Sequence, residues 1–296
     1  MLQRAVVVAG LIAISTVTTQ SAIAESSLEK SSLEKIVANK TFSIAYREES
    51  VPFSFIDSSG KPQGYAIDVC LKIAEEIKTE FKLDKLEIKF VPITPQTRIP
   101  LIANGTADAE CASTTMTTGR MKQVEFLAPI FITGTKLMVR KGSGITKIED
   151  LEGKTLLSLA GTTNEKAAQA EIAKRGLKVN MVKVKDHPQA LLNLEQGRAD
   201  AYTSNDVVLY GIRTMAKNPG DYEIVGPFYS YDPFSIMIPK NDTDFRALAL
   251  RVMSDLYTSG EIFTMYKHWF EPGPTNINLP MNDDLKNALR LNAFPH

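Results

Sequence analysis

Three arginines follow apolar runs in this chain. Arg47 comes after TFSIAY, Arg98 after KLEIKFVPI, and Arg120 after the hydroxyl-rich run ASTTMTTG that closes the apolar stretch ending in Cys111. Each would then sit where a strand gives way to a loop. A guanidinium is suited to fork-like pairing with a carboxylate. Three of them at one edge repel one another unless an anion joins them, and the loops offer no carboxylates of matching number. A ligand with two carboxylates would balance most of that charge. The plainer reading of Arg47 is a surface side chain paired with Glu48 or Glu49, and that of ASTTMTTG is a polar loop between core strands.

Other residues of similar placement lie further along. Gly161, Thr162 and Thr163 precede a helix, whose free N–H groups and positive dipole end can receive an anion; ordinary capping by Thr163 or Asn164 is the alternative. His187 stands between a strand and a helix, where a lone histidine is equally a structural residue. Asn205 and Asp206 follow a third strand, and one of them could simply cap the next helix.

These positions need elements to hold them. TFSIAY and KLEIKFVPI read as strands. IDVCLKIAEEIKTEF places Ile67, Leu71, Ile73, Ala74, Ile77 and Phe81 on one helical face, and RIPLIANG reads as a short helix ended by Gly105. The same alternation returns in KTLLSLA, EKAAQAEIAKRG, NMVKVKD, PQALLNLEQG and ADAYTS. It predicts an α/β protein with mostly parallel sheets covered by helices. LIANGTADA (Leu101 to Ala109) and NLEQGRADA (Asn193 to Ala201) share an order of helix end, Gly, small residue, Asp and strand, as two similar lobes would produce. Past Asn276 no strong period is visible, which predicts a loosely packed tail.

Composition excludes several functions. The chain of 296 residues has 34 basic and 34 acidic side chains, so nothing in its charge favours nucleic acid or an acidic membrane surface. It has no G-x-S-x-G, P-loop or G-x-G-x-x-G, and its three histidines (His187, His268 and His296) lack ligand spacing. No metal site, cofactor or catalytic set is expected. Cys70 and Cys111 can form one bridge in an oxidising compartment or serve as two buried small hydrophobes. Arg4, the run AVVVAGLIAI and the Ala22-x-Ala24 site read as a secretory signal over residues 1–24, cleaved near Ala24. The tandem SSLEK repeat within 25–35 reads as a loose leader.

The stretches YREESVPFSFID, GYAIDVCLKIAEEI, VPITPQTRIPLIANGTADAECASTT, GTTNEKA, KDHPQALLNLEQGRADAY and EIVGPFY resemble the polar amino-acid-binding family of bacterial periplasmic solute receptors (family 3), on its glutamate/aspartate branch. The likeness runs from about Leu33 to Phe270. It implies an α/β, two-lobed periplasmic binding protein fold (type II), with two hinge strands and the ligand in the inter-lobe cleft. Lobe 1 would take residues 36–129 plus 233–296, and lobe 2 residues 130–232. The function implied is that of a monomeric, periplasmic, non-enzymatic receptor. It would hand L-glutamate or L-aspartate to the membrane permease subunits of an ABC importer. By motif matching, Arg47, Arg98 and His187 would hold the side-chain carboxylate, and Arg120, Ser113, Thr115 and Thr163 the α-carboxylate. Two positions depart from the pattern: Pro95 replaces a Ser, and Asn205 replaces the Asp that holds the ligand ammonium. The second departure keeps open a receptor for an amine-free dicarboxylate. A periplasmic dehydratase on the same fold is the enzymatic alternative, with Asp206 or His187 as its acid.

Overall fold

The computed structural model describes residues 31–293. The proposed signal segment and the first SSLEK copy lie outside them. Helix α1 (Ser32–Asn39) leads into strand β1 (Thr41–Tyr46). A small antiparallel sheet follows, made of β2 (Glu49–Ser50), β3 (Ser54–Ile56) and β4 (Pro62–Gln63). Then come α2 (Tyr65–Glu80), β5 (Glu87–Pro92), α3 (Arg98–Ala103), β6 (Ala109–Glu110) and β7 (Val124–Thr133). The middle of the chain is β8 (Thr135–Arg140), β9 (Thr155–Leu159), α4 (Thr163–Arg175), β10 (Asn180–Val184), α5 (His187–Glu195), β11 (Ala201–Asn205), α6 (Asp206–Thr214) and β12 (Tyr222–Val225). It closes with β13 (Asp232–Pro239), α7 (Thr243–Ser259), α8 (Glu261–Phe270) and α9 (Asp283–Arg290).

Two five-stranded sheets result, in the orders β5-β1-β6-β13-β7 and β10-β9-β11-β8-β12. In the first, β1 runs parallel to β5 and β6. In the second, β9 runs parallel to β10 and β11. The chain crosses between sheets twice. It leaves β7 through Gly134 for β8, and it returns into β13, which pairs antiparallel with β7 from Asp232 opposite Thr133. A Cβ on Gly134 would overlap the carbonyl oxygen of Ser230 and the Phe228 ring, so the two crossings come this close only because that position has no side chain.

The internal echo has a shared physical cause. Asp108 accepts the amide N–H of Ser43 at 2.7 Å, and Asp200 accepts that of Thr155 at 2.8 Å. The amides of Asp108 and Asp200 in turn donate to the carbonyls of Ser43 (2.9 Å) and Thr155 (3.0 Å). Each aspartate thus locks the start of its strand to the neighbouring strand. Gly105 and Gly197, at φ of 70° and 69°, turn the chain out of the preceding helix.

Lobe 1 is built on an aromatic cluster beneath the crossing strands. Phe53 meets Phe131 edge-on at 5.2 Å and Phe234 at 5.1 Å, and Phe270 stacks on Phe131 at 5.0 Å. Such pairs add about 0.5–1.5 kcal/mol each beyond burial. The two cysteines are fully buried and joined: Cys70 on α2 bridges Cys111, just past β6, with Cα atoms 6.3 Å apart.

Four expectations need correction. The sheets are mixed and not mostly parallel: β13 runs antiparallel to β6 and β7, and β8 antiparallel to β11 and β12. The second SSLEK copy is not loose: Ser31 caps α1 by accepting from the Glu34 amide, the Ser32 amide donates to Asp242, and Leu33 and Ile36 are buried. The tail is not loose throughout either. Asn282 caps α9, and Leu285 and Leu289 are buried from it; with Ala288 they make one i, i+3, i+4 set, a single turn too short to show a repeating period. On α2, Phe81 is an exposed C-cap, while Tyr65, Ala66, Val69 and Cys70 are buried. That helix is covered on one side by lobe 1's sheet elements and on another by α7 and α8, so its buried face is wider than a single stripe. No helix among the described residues is long and apolar enough to cross a membrane.

Candidate functional site

Six loops meet in the cleft, each following the C-terminal end of one of the parallel strands β1, β5, β6, β9, β10 and β11. That edge is where open α/β sheets offer a crevice. The loops surround a small chamber of about 20 Å³, and its wall includes Arg47, Arg98, Ser113, Thr115, Thr163, His187 and Asn205. Seven of the eight candidate residues are therefore brought together.

Arg47 is 3 % exposed. Its amide donates to Ser54 Oγ at 2.9 Å, and its guanidinium pairs with Glu49. The partner is the one that the plainer reading allowed, but the pair is set into the cleft. Arg98 is equally buried at the start of α3. Its Nη1 donates to Thr114 Oγ1 at 2.6 Å, and that hydroxyl donates to Glu110 Oε1, also at 2.6 Å. Burial, with the charges of Arg120 and Arg47 nearby, brings the Arg98 pKa down to about 9, and Glu110 opposes that shift. Arg98 still carries its charge at neutral pH. The Nε atoms of both arginines are buried without a hydrogen-bond partner.

Arg120 does not reach the chamber wall. It opens a 3-10 turn, and its Nη1 donates to the carbonyl of Thr115 at 2.5 Å. Burial lowers its pKa, while Glu110 and Asp232 raise it. Its position braces Thr115 from behind.

The hydroxyls are mutually engaged. Ser113 Oγ lies 2.6 Å from Ser50 Oγ. Thr115 Oγ1 is 3.1 Å from Thr163 Oγ1 across the cleft and donates to Asp232 Oδ1 at 3.1 Å. Capping of α4 falls to Thr162, which accepts from the Glu165 amide, and not to Thr163 or Asn164. Thr163 is thus free to face Thr115 in the helix's first turn.

His187 sits in the first turn of α5, with Nδ1 2.7 Å from the Tyr202 hydroxyl. Burial first, then the charge of Arg47, lowers its pKa to about 3. It is neutral at physiological pH. The neutral ring has one donor and one acceptor nitrogen, and its Nδ1 shares a hydrogen bond with the Tyr202 hydroxyl.

Asn205 and Asp206 diverge. Asn205 lines the chamber, and its Nδ2 is buried without a partner. Asp206 turns the other way: Oδ1 accepts from Thr133 Oγ1 at 2.5 Å and from the Val207 amide at 2.7 Å. It lines a separate cavity with Phe131, Thr133 and Tyr266.

The sequence reading missed Glu110, Asp232 and Tyr202. Glu110 and Asp232 are 0 % and 1 % exposed, so the arginines are not without acids of matching number. The one available signal for Glu110 was a carboxylate inside a run of small apolar residues, ADAECA. No group of three or more side chains fit to hold a metal exists among the described residues.

Comparison with known proteins agrees with the fold. The chain is 38 % identical over 254 residues to the L-glutamate/L-aspartate-binding protein of Pseudomonas aeruginosa, covering 84 % of each. It is 36 % identical over 255 residues to the glutamate/aspartate import solute-binding protein of Escherichia coli K12, covering 85 % of this chain and 84 % of that one. A mutant arginine-binding protein of T. maritima superposes with a TM-score of 0.70 at 28 % identity, over 80 % of this chain and 98 % of that one. The model of the bacterial extracellular solute-binding proteins, family 3, matches residues 42–272. With that match over most of its length and a two-lobed, type II binding-protein fold, the chain belongs to the bacterial extracellular solute-binding proteins, family 3.

Proposed function

We propose that this chain is the solute-binding protein of an ABC importer and that it holds an acidic amino acid, L-glutamate or L-aspartate, between its lobes. The observation that carries the reading is the pair Arg47 and Arg98, both buried on the chamber wall with an unpartnered Nε. A buried donor without a partner is costly, and a carboxylate arriving between them removes that cost twice. The neutral His187 adds a further hydrogen-bonding group beside Arg47. The relatives named for glutamate and aspartate support the same ligand class.

In this reading lobe 1 comprises residues 36–129 plus 233–296, and lobe 2 residues 130–232. The crossings at 130–134 and 231–235 act as the hinge. The protein works in the periplasm as a monomer, after cleavage near Ala24, and delivers its ligand to the permease subunits. Ser113, Thr115 and Thr163 receive the α-carboxylate, with Arg120 supporting them through Thr115.

Asn205 favours a second reading, a receptor for an amine-free dicarboxylate, because the chamber wall offers an ammonium no carboxylate at that point. The dehydratase alternative gains no support: the Asp206 carboxylate is committed to Thr133, and His187 is held neutral. Calorimetric titration with L-glutamate, L-aspartate, L-glutamine and glutarate tests the assignment. Tight binding of an acidic amino acid is expected. Preference for glutarate selects the second reading, and a ligand recovered chemically changed revives the enzyme.

A further inference from the structure

We propose that Glu110, a residue outside the chamber wall, sets how much negative charge the chamber accepts in its ligand. The inference rests on the acidic amino-acid reading above and names the residue that tunes it. Glu110 lies on the middle strand β6, opposite Ala45 of β1 and Met237 of β13, with no exposed surface. Its Oε1 accepts from Thr114, which accepts from Arg98, while its Oε2 is buried without a partner. The charged groups that face it are Arg98, Arg120 and Arg47, in decreasing order of influence.

A carboxylate at the centre of a sheet carries a large desolvation penalty. Thr114 alone would suffice to orient Arg98 by its hydroxyl, and a small apolar residue would fill the strand position without that penalty. Burial raises the Glu110 pKa, and Arg98, the Thr114 hydroxyl, Arg120 and Arg47 oppose that rise; the negative charge they favour is what the glutamate adds behind the chamber. Arg47 has Glu49 as its counter-ion, Arg120 faces Asp232, and Arg98 has Glu110 through one hydroxyl. The three arginines at and behind the wall are therefore each matched by a nearby carboxylate before a ligand enters. Such a wall suits a ligand with two carboxylates and one ammonium, whose net charge is a single negative unit. Without the Glu110 charge, the wall gains a positive unit and favours ligands with more negative charge.

The test is a ladder of ligand charge on the mature protein: L-glutamine at zero, L-glutamate at minus one and glutarate at minus two. Each affinity is compared between wild type and Glu110→Gln, so that chemical differences among the three ligands cancel. Glutamine keeps an oxygen to accept from Thr114, and only the charge is lost. Each added negative unit on the ligand should then gain on the order of tenfold over wild type. A variant ladder parallel to the wild-type one overturns the proposal and leaves the acidic amino-acid reading standing. Wild type that binds none of the three overturns both. Thr114→Val provides a second measurement should Glu110→Gln not fold. It cuts the bridge and keeps the carboxylate. Glutamate and glutarate should then lose at least several-fold more affinity than glutamine, and equal losses, or none, overturn the proposal.

Discussion

Thr115 and Thr163 face each other across the cleft with their hydroxyl oxygens 3.1 Å apart, one held by a loop of the first sheet and the other by the first turn of α4 beside the second. Gln96 reaches across nearby, donating to the carbonyl of Ala160 at 3.1 Å. These bridges describe a closed cleft. Direct bonds between lobes favour closure without a ligand only modestly, since exposed hydrogen bonds contribute about 1 kcal/mol or less net. A ligand that touches both walls supplies the differential contact that shifts the balance.

Gly211 tests that closure without touching the chamber. It lies on α6, and a Cβ there would overlap the carbonyl of Val51 on the other lobe. Gly211→Ala should leave each lobe folded but hold the lobes apart. Calorimetry should show ligand affinity lowered by about tenfold or more, the equivalent of about 1.4 kcal/mol. X-ray scattering with saturating ligand should show less compaction than wild type. Unaltered affinity and full compaction would mean that α6 does not meet Val51 in the bound state.

The disulfide predicts a split between stability and binding. It closes a loop with a sequence separation of 41 and anchors the segment that continues into Ser113, Thr114 and Thr115. A loop of that length corresponds to about 4 kcal/mol of chain entropy in the unfolded state. Replacing both cysteines by serine should lower the unfolding free energy by about 2–4 kcal/mol, measured by urea denaturation. Ligand affinity should fall less, because Arg98 and Glu110 still hold Thr114 from two sides.

Two buried groups should tilt stability with pH in opposite directions. His187 has its pKa lowered from 6.5 to about 3, by burial and then by Arg47. Between those values the unfolded chain binds a proton that the folded one does not, so stability rises with pH by up to about 1.4 kcal/mol per unit. Asp108 has its pKa raised from 3.8 to about 6, chiefly by burial. Between those values the folded chain keeps a proton that the unfolded one has lost, so stability falls as pH rises. In the wild type the two slopes oppose each other from about pH 4 to about pH 6. Urea titrations over that range should show His187→Gln losing stability with rising pH and Asp108→Asn gaining it. Parallel profiles for the two variants would refute the assignment.

The sequence showed the lobes and most of the chamber for a simple reason. Parallel strands put their C-terminal loops at one edge, so Arg47, Arg98, Thr163, His187 and Asn205 could be placed by order alone. Glu110 was not legible, because a charged residue in a short strand reads as a solvent-facing one. Its burial depends on Thr114, four residues on, and Arg98, twelve residues back, meeting at one point. The place of Arg120 behind Thr115 depends on a single 3-10 turn, which spacing does not encode. Helix α9 carries one apolar set, Leu285, Ala288 and Leu289, and a cap, and one turn does not make a repeating signal. The direction of Asp206 was equally hidden. Adjacent residues at a strand-to-helix junction point to different sides, and only the position of Thr133 decides which one enters the chamber.

That divergence sharpens what Asn205 should do. Asp206 is fixed to Thr133 and the Val207 amide on the far side of the junction, so it does not substitute for a carboxylate at position 205. Asn205 presents to the chamber a side chain whose Nδ2 is buried and unpartnered. Its amide oxygen can accept from an ammonium but brings no charge, and charge-assisted hydrogen bonds are roughly twice as strong as neutral ones. Asn205→Asp should therefore raise the affinity for L-glutamate by about tenfold or more, a gain of roughly 1.5 kcal/mol. The same substitution should lower the affinity for glutarate, whose two carboxylates would meet a new like charge and whose carbon chain has no ammonium to offset it. Asp206→Asn should change both affinities little, acting through Thr133 alone. Calorimetry on the two variants with both ligands separates these effects. Should Asn205→Asp leave glutamate unaffected while Asp206→Asn abolishes its binding, the junction must turn in the bound state and Asp206 is the ammonium partner. Should neither matter while the wild type prefers glutarate, the ligand carries no amine and the acidic amino-acid reading falls.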